Sequence, residues 1–485
     1  MKKLEQILID VDTIKVIGKL DFIVNDISKN SNEIKSNFLF IAIEGNKYDG
    51  HNYINSAIEH GASSIICEKL PETLLECITY VKVKSSRKSY AKICCNFFGN
   101  PSKKLKLIGV TGTNGKTTTV SLCHELMLCM GYKSGLISTN TIKINNKNYK
   151  TDLTTPDSYD TNMYLRKMVE LDVDFCFMEV SSHSIHQERI DSLEFFISVF
   201  TNITHDHLNY HGDFKTYLDT KKRLFDNLKN NQKSLVNIDD KNGMYMIQNT
   251  ISETYTMSMK KPADFKLRVI ENSFEGMTLK LDDKEIQTSL IGNFNAYNIL
   301  SVVSIAKLLE LNEKNIYNNL TLLQPPNGRF EIISNERVTA IVDYAHTPDA
   351  LLNVLNTINN ININKSKVIT VIGCGGGRDK NKRKKMGLIA VNNSSFSVFT
   401  SDNPRDENPE KIIEDMISGI EKIELKKVMI EIDRETAIKL ALSMLDEKCI
   451  VLIAGKGHEN HQIIKSKKME FNDVHVVKKS LKIAV

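Results

Sequence analysis

Apolar residues along this chain fall in short, unbroken runs that stop at clusters of glycine or polar side chains. Leu105 to Val110, Phe175 to Met178, Val368 to Ile372 and Ile450 to Ile453 are examples, with Ala340 to Val342, Phe396 to Thr400 and Val428 to Ile432 beside them. Runs of this length without alternation read as strands covered on both faces. Between them lie stretches of helical period, such as Val120 to Met130 and the segment from Tyr217 to Phe225. Strand alternating with helix predicts an α/β fold with a doubly wound, mostly parallel sheet. A smaller α/β unit precedes it: strand Phe38 to Ile43, helix Tyr53 to His60 and strand Ser64 to Cys67.

Two breaks divide the pattern. Gly99-Asn-Pro101-Ser and Pro325-Pro-Asn-Gly328 are turn chemistry between periodic segments. They predict three domains: residues 1–98, a central domain 99–327, and a Rossmann-like domain 328–485. A chain of 485 residues suits this count, since single cores rarely grow past ~250–300 residues.

Composition narrows the class. No apolar run approaches the ~20 residues of a membrane span, and acidic residues come too early for a signal peptide. Nine cysteines form no C-x-x-C pair, which suits reduced thiols in cytosol, with Cys94 and Cys95 inside an apolar helix. A net charge of +5 fits small anionic substrates and gives no argument for nucleic acid or membrane.

Chemistry concentrates where the strands end. After Leu105 to Val110 comes Thr111-Gly-Thr-Asn-Gly-Lys116-Thr-Thr-Thr119, followed by a helix. Strand, glycine turn and helix make a phosphate cradle: backbone N–H groups and the helix dipole meet the anion, and Lys116 neutralises it. Thr117 would place a hydroxyl on Mg²⁺. The glycines fall at 109, 112 and 115, and Val110 takes a position that is commonly glycine. Glu179 ends a buried strand, where a carboxylate is costly unless it meets a cation or a metal. Asn202, His205, Asp206, His207 and His211 cluster after Val199 and Phe200, without the spacing of a zinc site. Lys221, on the following helix, reads from physics alone as a solvated surface lysine. Thr154-Thr-Pro-Asp157 reads as a turn.

These segments, in this order, resemble one family: the ATP-dependent Mur ligases and their folylpolyglutamate synthase cousins. The match continues through Gly292-Asn-Phe-Asn295, Asn327-Gly-Arg329, Asp343-Tyr-Ala-His346, Asp402-Asn-Pro-Arg405 and Gly455-Lys-Gly-His-Glu459, and so spans essentially the whole chain. The resemblance implies an ATP-dependent amide ligase of peptidoglycan synthesis, cytoplasmic and monomeric. It would extend UDP-N-acetylmuramoyl-L-alanyl-D-glutamate by a third residue through an acyl phosphate, with a UDP-binding N-terminal domain.

It also implies roles. Gly112, Thr113, Asn114, Gly115, Lys116, Thr117 and Thr118 would hold ATP, with Asn295, Arg329, Asp343 and His346 on its other side. Lys116, Glu179, His207 and Lys221 would be the catalytic set. Thr117, Glu179, His207 and Lys221 would ligate Mg²⁺, Lys221 as a CO₂-derived carbamate. Ser31, Thr154, Thr155, Ser181, Gln187 and Arg189 would bind the UDP-muramoyl dipeptide. Its relatives carry Asp-Ser-Arg where this chain has Asn30-Ser31-Asn32. The Asp402-Asn403-Pro404-Arg405 motif implies meso-diaminopimelate as the added amino acid, a guanidinium clamping its distal carboxylate. Arg383, Gly455 and Glu459 would complete that pocket. Lysine addition or glutamate addition to folate would be the same chemistry on other substrates, and a non-catalytic nucleotide-binding scaffold would be a different class.

Overall fold

The computed structural model describes residues 2–45, 48–139, 141–444 and 448–483. Its strands form three large sheets that follow one another along the chain. The first has five strands in the order Thr13–Ile17, Thr79–Val83, Ala62–Cys67, Phe38–Ile41, Asp26–Ser28, parallel except for its first pair. Helix Ser86–Phe97 covers it and buries Cys94 and Cys95 completely.

The central sheet has eleven strands. Its middle is parallel: Ser134–Ser138, Phe175–Glu179, Lys106–Thr111, Ile197–Phe200, Lys233–Asn237 and Glu253–Ser258 lie side by side. Antiparallel pairs extend both edges: Thr141–Ile144 with Lys147–Lys150 on one, and on the other Gly276–Leu281 and Lys284–Thr288 beyond Phe265–Ser273, which itself joins parallel to Glu253–Ser258. Apolar side chains from both faces are buried, Ile108 and Val110 against helices Lys116–Cys129 and Asn293–Leu308, Leu107 and Met178 against Ser158–Glu170 and its neighbours. Burial on both sides accounts for the unbroken apolar runs.

The third sheet orders Glu331–Ser334, Val338–Asp343, Cys449–Ala454, Lys367–Ile372, Phe396–Phe399 and Val428–Ile430, all parallel but the first pair. Strand direction alternates its side chains between two cores, Ile341, Ile372 and Leu452 on one face, Val342, Val371 and Ile453 on the other. The fold is therefore α/β throughout, in three domains. The strands match their expected positions to within two residues. The helix expected from Val120 begins four residues earlier, at Lys116, because Gly115 adopts φ 87° and turns the chain into it.

Behind the third sheet, Arg434 and Asp473 form a fully buried pair: Nε donates to Oδ1 and Nη2 to Oδ2, both at 2.8 Å. Nη2 also donates to the Ala454 carbonyl at 3.0 Å, tying two helices to the end of the central strand. Arg434→Met leaves the Asp473 carboxylate buried without its cation, so the domain is expected to lose about 3–5 kcal/mol, read by chemical denaturation.

Candidate active site

The carboxyl ends of the central and third sheets face each other across one cavity of about 690 Å³. Thr113, Asn114, Gly115, Lys116, Thr117 and Thr118 line one wall, while Gly112, expected with them, is buried and does not. Lys116 is folded onto its own loop, Nζ donating to the Gly112 and Thr113 carbonyls at 2.9 and 2.8 Å. Lys221 corrects the sequence reading of it as a solvated lysine. It is 1% exposed, lies behind the loop against the Tyr217 ring, and donates to the same Gly112 carbonyl at 2.9 Å. Helix Phe214–Asp226 puts it there because Tyr217, Leu224 and Phe225 form its buried face, and position 221 lies four residues from the first of these. Burial, then the charge of Lys116, holds its pKa well below the ordinary lysine range.

Glu179 lines the cavity at 1% exposure, its Oε1 accepting from Ser138 Oγ, Thr139 N and Thr139 Oγ1. His207 stands at φ 55° before a short helix, paired with Asp206 at 3.3 Å. Burial and the neighbouring cations keep this imidazole well below its usual pKa, hence neutral. The Thr117 hydroxyl, the Glu179 carboxylate and a neutral imidazole on one cavity wall form a donor set that fits a hard divalent cation. Lys221 as an amine does not reach that wall.

The third sheet supplies the opposite wall. Arg329 donates from Nη2 to Thr117 Oγ1 at 3.0 Å and stacks on Tyr344, 4.6 Å from the ring centroid. Asp343 accepts from Phe330 N and Ala345 N at 2.7 Å each, and burial pushes its carboxyl up to about 6 against those bonds and Arg329. His346 lines the cavity nearby. Asn295 does not; it is buried, and its Oδ1 accepts from Asn298, which does line it.

At the far end the structure corrects one assignment. Arg383 is 1% exposed and does not line the cavity; its guanidinium is bound to Glu407 at 3.0 Å and Asp415 at 2.8 Å, and Nη2 also donates to the Gly375 carbonyl at 3.4 Å. Arg378 takes the place expected for it. Arg378 and Arg405 line the cavity on either side of Gly375, where a Cβ would meet Arg405 Nη1 at 3.1 Å and Arg378 Cγ at 3.7 Å. The signal was one turn upstream in the same Gly-Arg-Asp-Lys segment, but only the backbone path tells the two arginines apart. Asp402, Asn403, Gly455 and Glu459 share this end. Gly455 has φ 112°, and a Cβ there would lie 2.9 Å from Asp402 Oδ2. Pro404, expected in this pocket, is buried and does not line the cavity; its carbonyl lies against Gly376.

A second cavity, about 600 Å³, opens between the first and central sheets. Ser31, Gln187 and Arg189 line it with the rings of Tyr48, Tyr53 and Tyr90. Asn30 caps the turn there, its Oδ1 accepting from Asn32 N, a bond that an aspartate would also make. Thr154 lines the first cavity, while Thr155 and Ser181 lie buried or half-buried between the two, the Thr155 hydroxyl on the Glu179 carbonyl at 2.8 Å.

Family models match all three regions: Mur ligase family, catalytic domain, at residues 24–97; Mur ligase middle domain at 110–306; and Mur ligase, glutamate ligase domain, at 328–457. The chain is 46% identical to the UDP-N-acetylmuramoyl-L-alanyl-D-glutamate–2,6-diaminopimelate ligase of Bacteroides fragilis, covering 100% of both chains. It is 39% identical to the ligase of the same name from Clostridioides difficile, over 99% of each. A solved structure of a ligase so named superposes with a TM-score of 0.70 at 28% identity, over 99% of each chain. The MurF ligase of Thermotoga maritima, solved in complex with ADP, shares the fold with a TM-score of 0.62 at 18% identity, over 88% of this chain and 93% of that one.

Asp343 gives the site a pH signature. Its folded pKa, about 6, lies above the usual carboxylate range, so between about pH 4 and 6 the folded chain holds a proton that the unfolded chain releases. Stability from this group is therefore greatest at the acid end and falls as pH rises through that window. Asp343→Asn is expected to remove that part of the slope in melting temperature against pH.

Proposed function

Because the chain belongs to the Mur ligase family, we propose that it joins meso-2,6-diaminopimelate to the D-glutamate of UDP-N-acetylmuramoyl-L-alanyl-D-glutamate at the expense of ATP. The observation that carries this reading is one continuous cavity, with a phosphate loop at one end and the Arg378–Arg405 pair beside Glu459 at the other. Residues 1–98 would hold the UDP end in the second cavity, through Ser31, Gln187 and Arg189. Residues 99–327 would bind ATP and residues 328–485 the amino acid. The reaction belongs to the cytoplasm, where ATP is available, and to a monomer.

A carboxylate resists attack by an amine because it is charged and offers no leaving group. Transfer of the γ-phosphoryl to the D-glutamate carboxylate releases ADP and makes an acyl phosphate. The amine of diaminopimelate then forms the C–N bond as the C–O bond to phosphate breaks, with loss of one amine proton. Lys116 and Arg329 would stabilise charge on the moving phosphoryl group, which is chiefly a matter of position and electrostatics. Thr117, Glu179 and His207 would hold Mg²⁺, which when bound neutralises phosphate charge. Arg378 and Arg405 would clamp the distal carboxylate of diaminopimelate, and Glu459 its ammonium.

Lys221 fits carbamylation. A buried amine with a depressed pKa is available in the neutral form that adds CO₂, forming an N–C bond and losing a proton. The product is an anion, which would answer the charge of Lys116 and add an oxygen donor for Mg²⁺. If so, depletion of bicarbonate at low pH lowers turnover and added bicarbonate restores it, while Lys221→Gln is insensitive to both. Intact-protein mass under native conditions reports the adduct directly.

The reading as a whole is tested by phosphate release with ATP, Mg²⁺ and the UDP-muramoyl dipeptide, comparing meso-diaminopimelate with L-lysine. Turnover is expected with diaminopimelate, and Arg405→Ala should lower kcat/KM for it by roughly 10²-fold or more, as loss of a buried charge partner does. Turnover with lysine alone would overturn the choice of amino acid.

A further inference from the structure

Lys456 has no exposed surface, yet it lies among three acceptor side chains of the cavity wall. Its Nζ donates to Glu459 Oε2 at 2.7 Å and to Asn403 Oδ1 at 3.2 Å, and stands 3.9 Å from Asp402 Oδ1. Asn403 closes the network: its Nδ2 donates to the same Glu459 oxygen at 2.8 Å, and its Oδ1 also accepts Ile463 N at 2.9 Å. With two donors on its oxygen, the Asn403 amide is held in one orientation, its N–H₂ toward Glu459. Asp402, Asn403 and Glu459 all line the cavity beside Arg378 and Arg405. A buried ammonium is tolerated only when paired and hydrogen-bonded, and here every partner belongs to that wall.

We propose that Lys456 is a positioning residue that sets the charge of the amino-acid pocket, so that it accepts a substrate end carrying one ammonium and one carboxylate. Two wall carboxylates against one buried ammonium leave a single negative charge, the complement of one substrate ammonium. The guanidiniums of Arg378 and Arg405 beside them offer paired donors to one carboxylate. The distal centre of diaminopimelate has both groups; the side chain of lysine has only the ammonium. Without Lys456 the wall gains an uncompensated negative charge, which favours a bare ammonium and repels a carboxylate. This rests on the diaminopimelate reading above.

The test is steady-state kinetics of Lys456→Gln, which keeps an amide donor without the charge, and Lys456→Met, which removes both. Wild-type protein, assayed alongside with ATP, UDP-muramoyl dipeptide, diaminopimelate and lysine, tests the underlying reading separately. In Lys456→Gln the KM for diaminopimelate should rise by about 30-fold or more, the size expected when a buried charge partner is truncated. The KM values for ATP and the dipeptide should stay within about twofold, and the diaminopimelate-to-lysine ratio of kcat/KM should fall. Lys456→Met should show the same pattern at least as strongly. An unchanged KM for diaminopimelate in folded Lys456→Gln would overturn the proposal. So would equal losses for all three substrates, which mark a merely structural residue. Failure of wild type to use diaminopimelate would sink the underlying reading instead.

Discussion

Two lysine side chains converge on one backbone carbonyl. Lys116 and Lys221 both donate to Gly112 O at 2.9 Å, and burial lowers the pKa of each. Two cations this close would repel, and with burial this favours the neutral amine at Lys221. Much else follows from this constraint. The glycine turn lets the loop close over its own lysine, helix Lys116–Cys129 points its N-terminus at the same place, and Glu179 and Asp206 supply opposing charge within reach of Lys116.

The same economy of position governs the cavity as a whole. Ligand crevices in open α/β sheets lie beyond the carboxyl ends of the strands, and here two such sheets are turned end to end. Each contributes what its strand ends carry: phosphate-binding loop, carboxylate and imidazole from the central sheet, guanidiniums and acceptors from the third. The contacts that already bridge them, Arg329 to Thr117 and Asn114 to Asp349 at 2.8 Å, use cavity residues. Groups that join the domains are therefore the groups a nucleotide would meet.

The sequence was most legible where local chemistry and position coincide. The phosphate loop, Glu179, Asp402 and Arg405 each follow a buried strand, so a strand read correctly carries its site residue with it. It was least legible where a helix decides. Arg378 and Arg383 are five residues apart in one basic segment, and both look equally suited to a carboxylate. The structure sends Arg383 into the ion pairs with Glu407 and Asp415 and leaves Arg378 at the cavity. Asn295 and Thr155 likewise belong to the site through a neighbour, since their side chains support Asn298 and the Glu179 carbonyl.

By itself, then, the sequence determined the α/β class, the strand positions, the phosphate cradle and the family, because these depend on patterns a few residues long. Only the tertiary structure decided that Lys221 is buried behind the loop, that Arg378 lines the pocket, and that Lys456 is buried against Glu459 and Asn403. The charge state and partners of a lysine or arginine depend on which distant groups exclude water from it. That is a property of packing between segments a hundred or more residues apart, as with Lys221 and Gly112, and no local pattern encodes it.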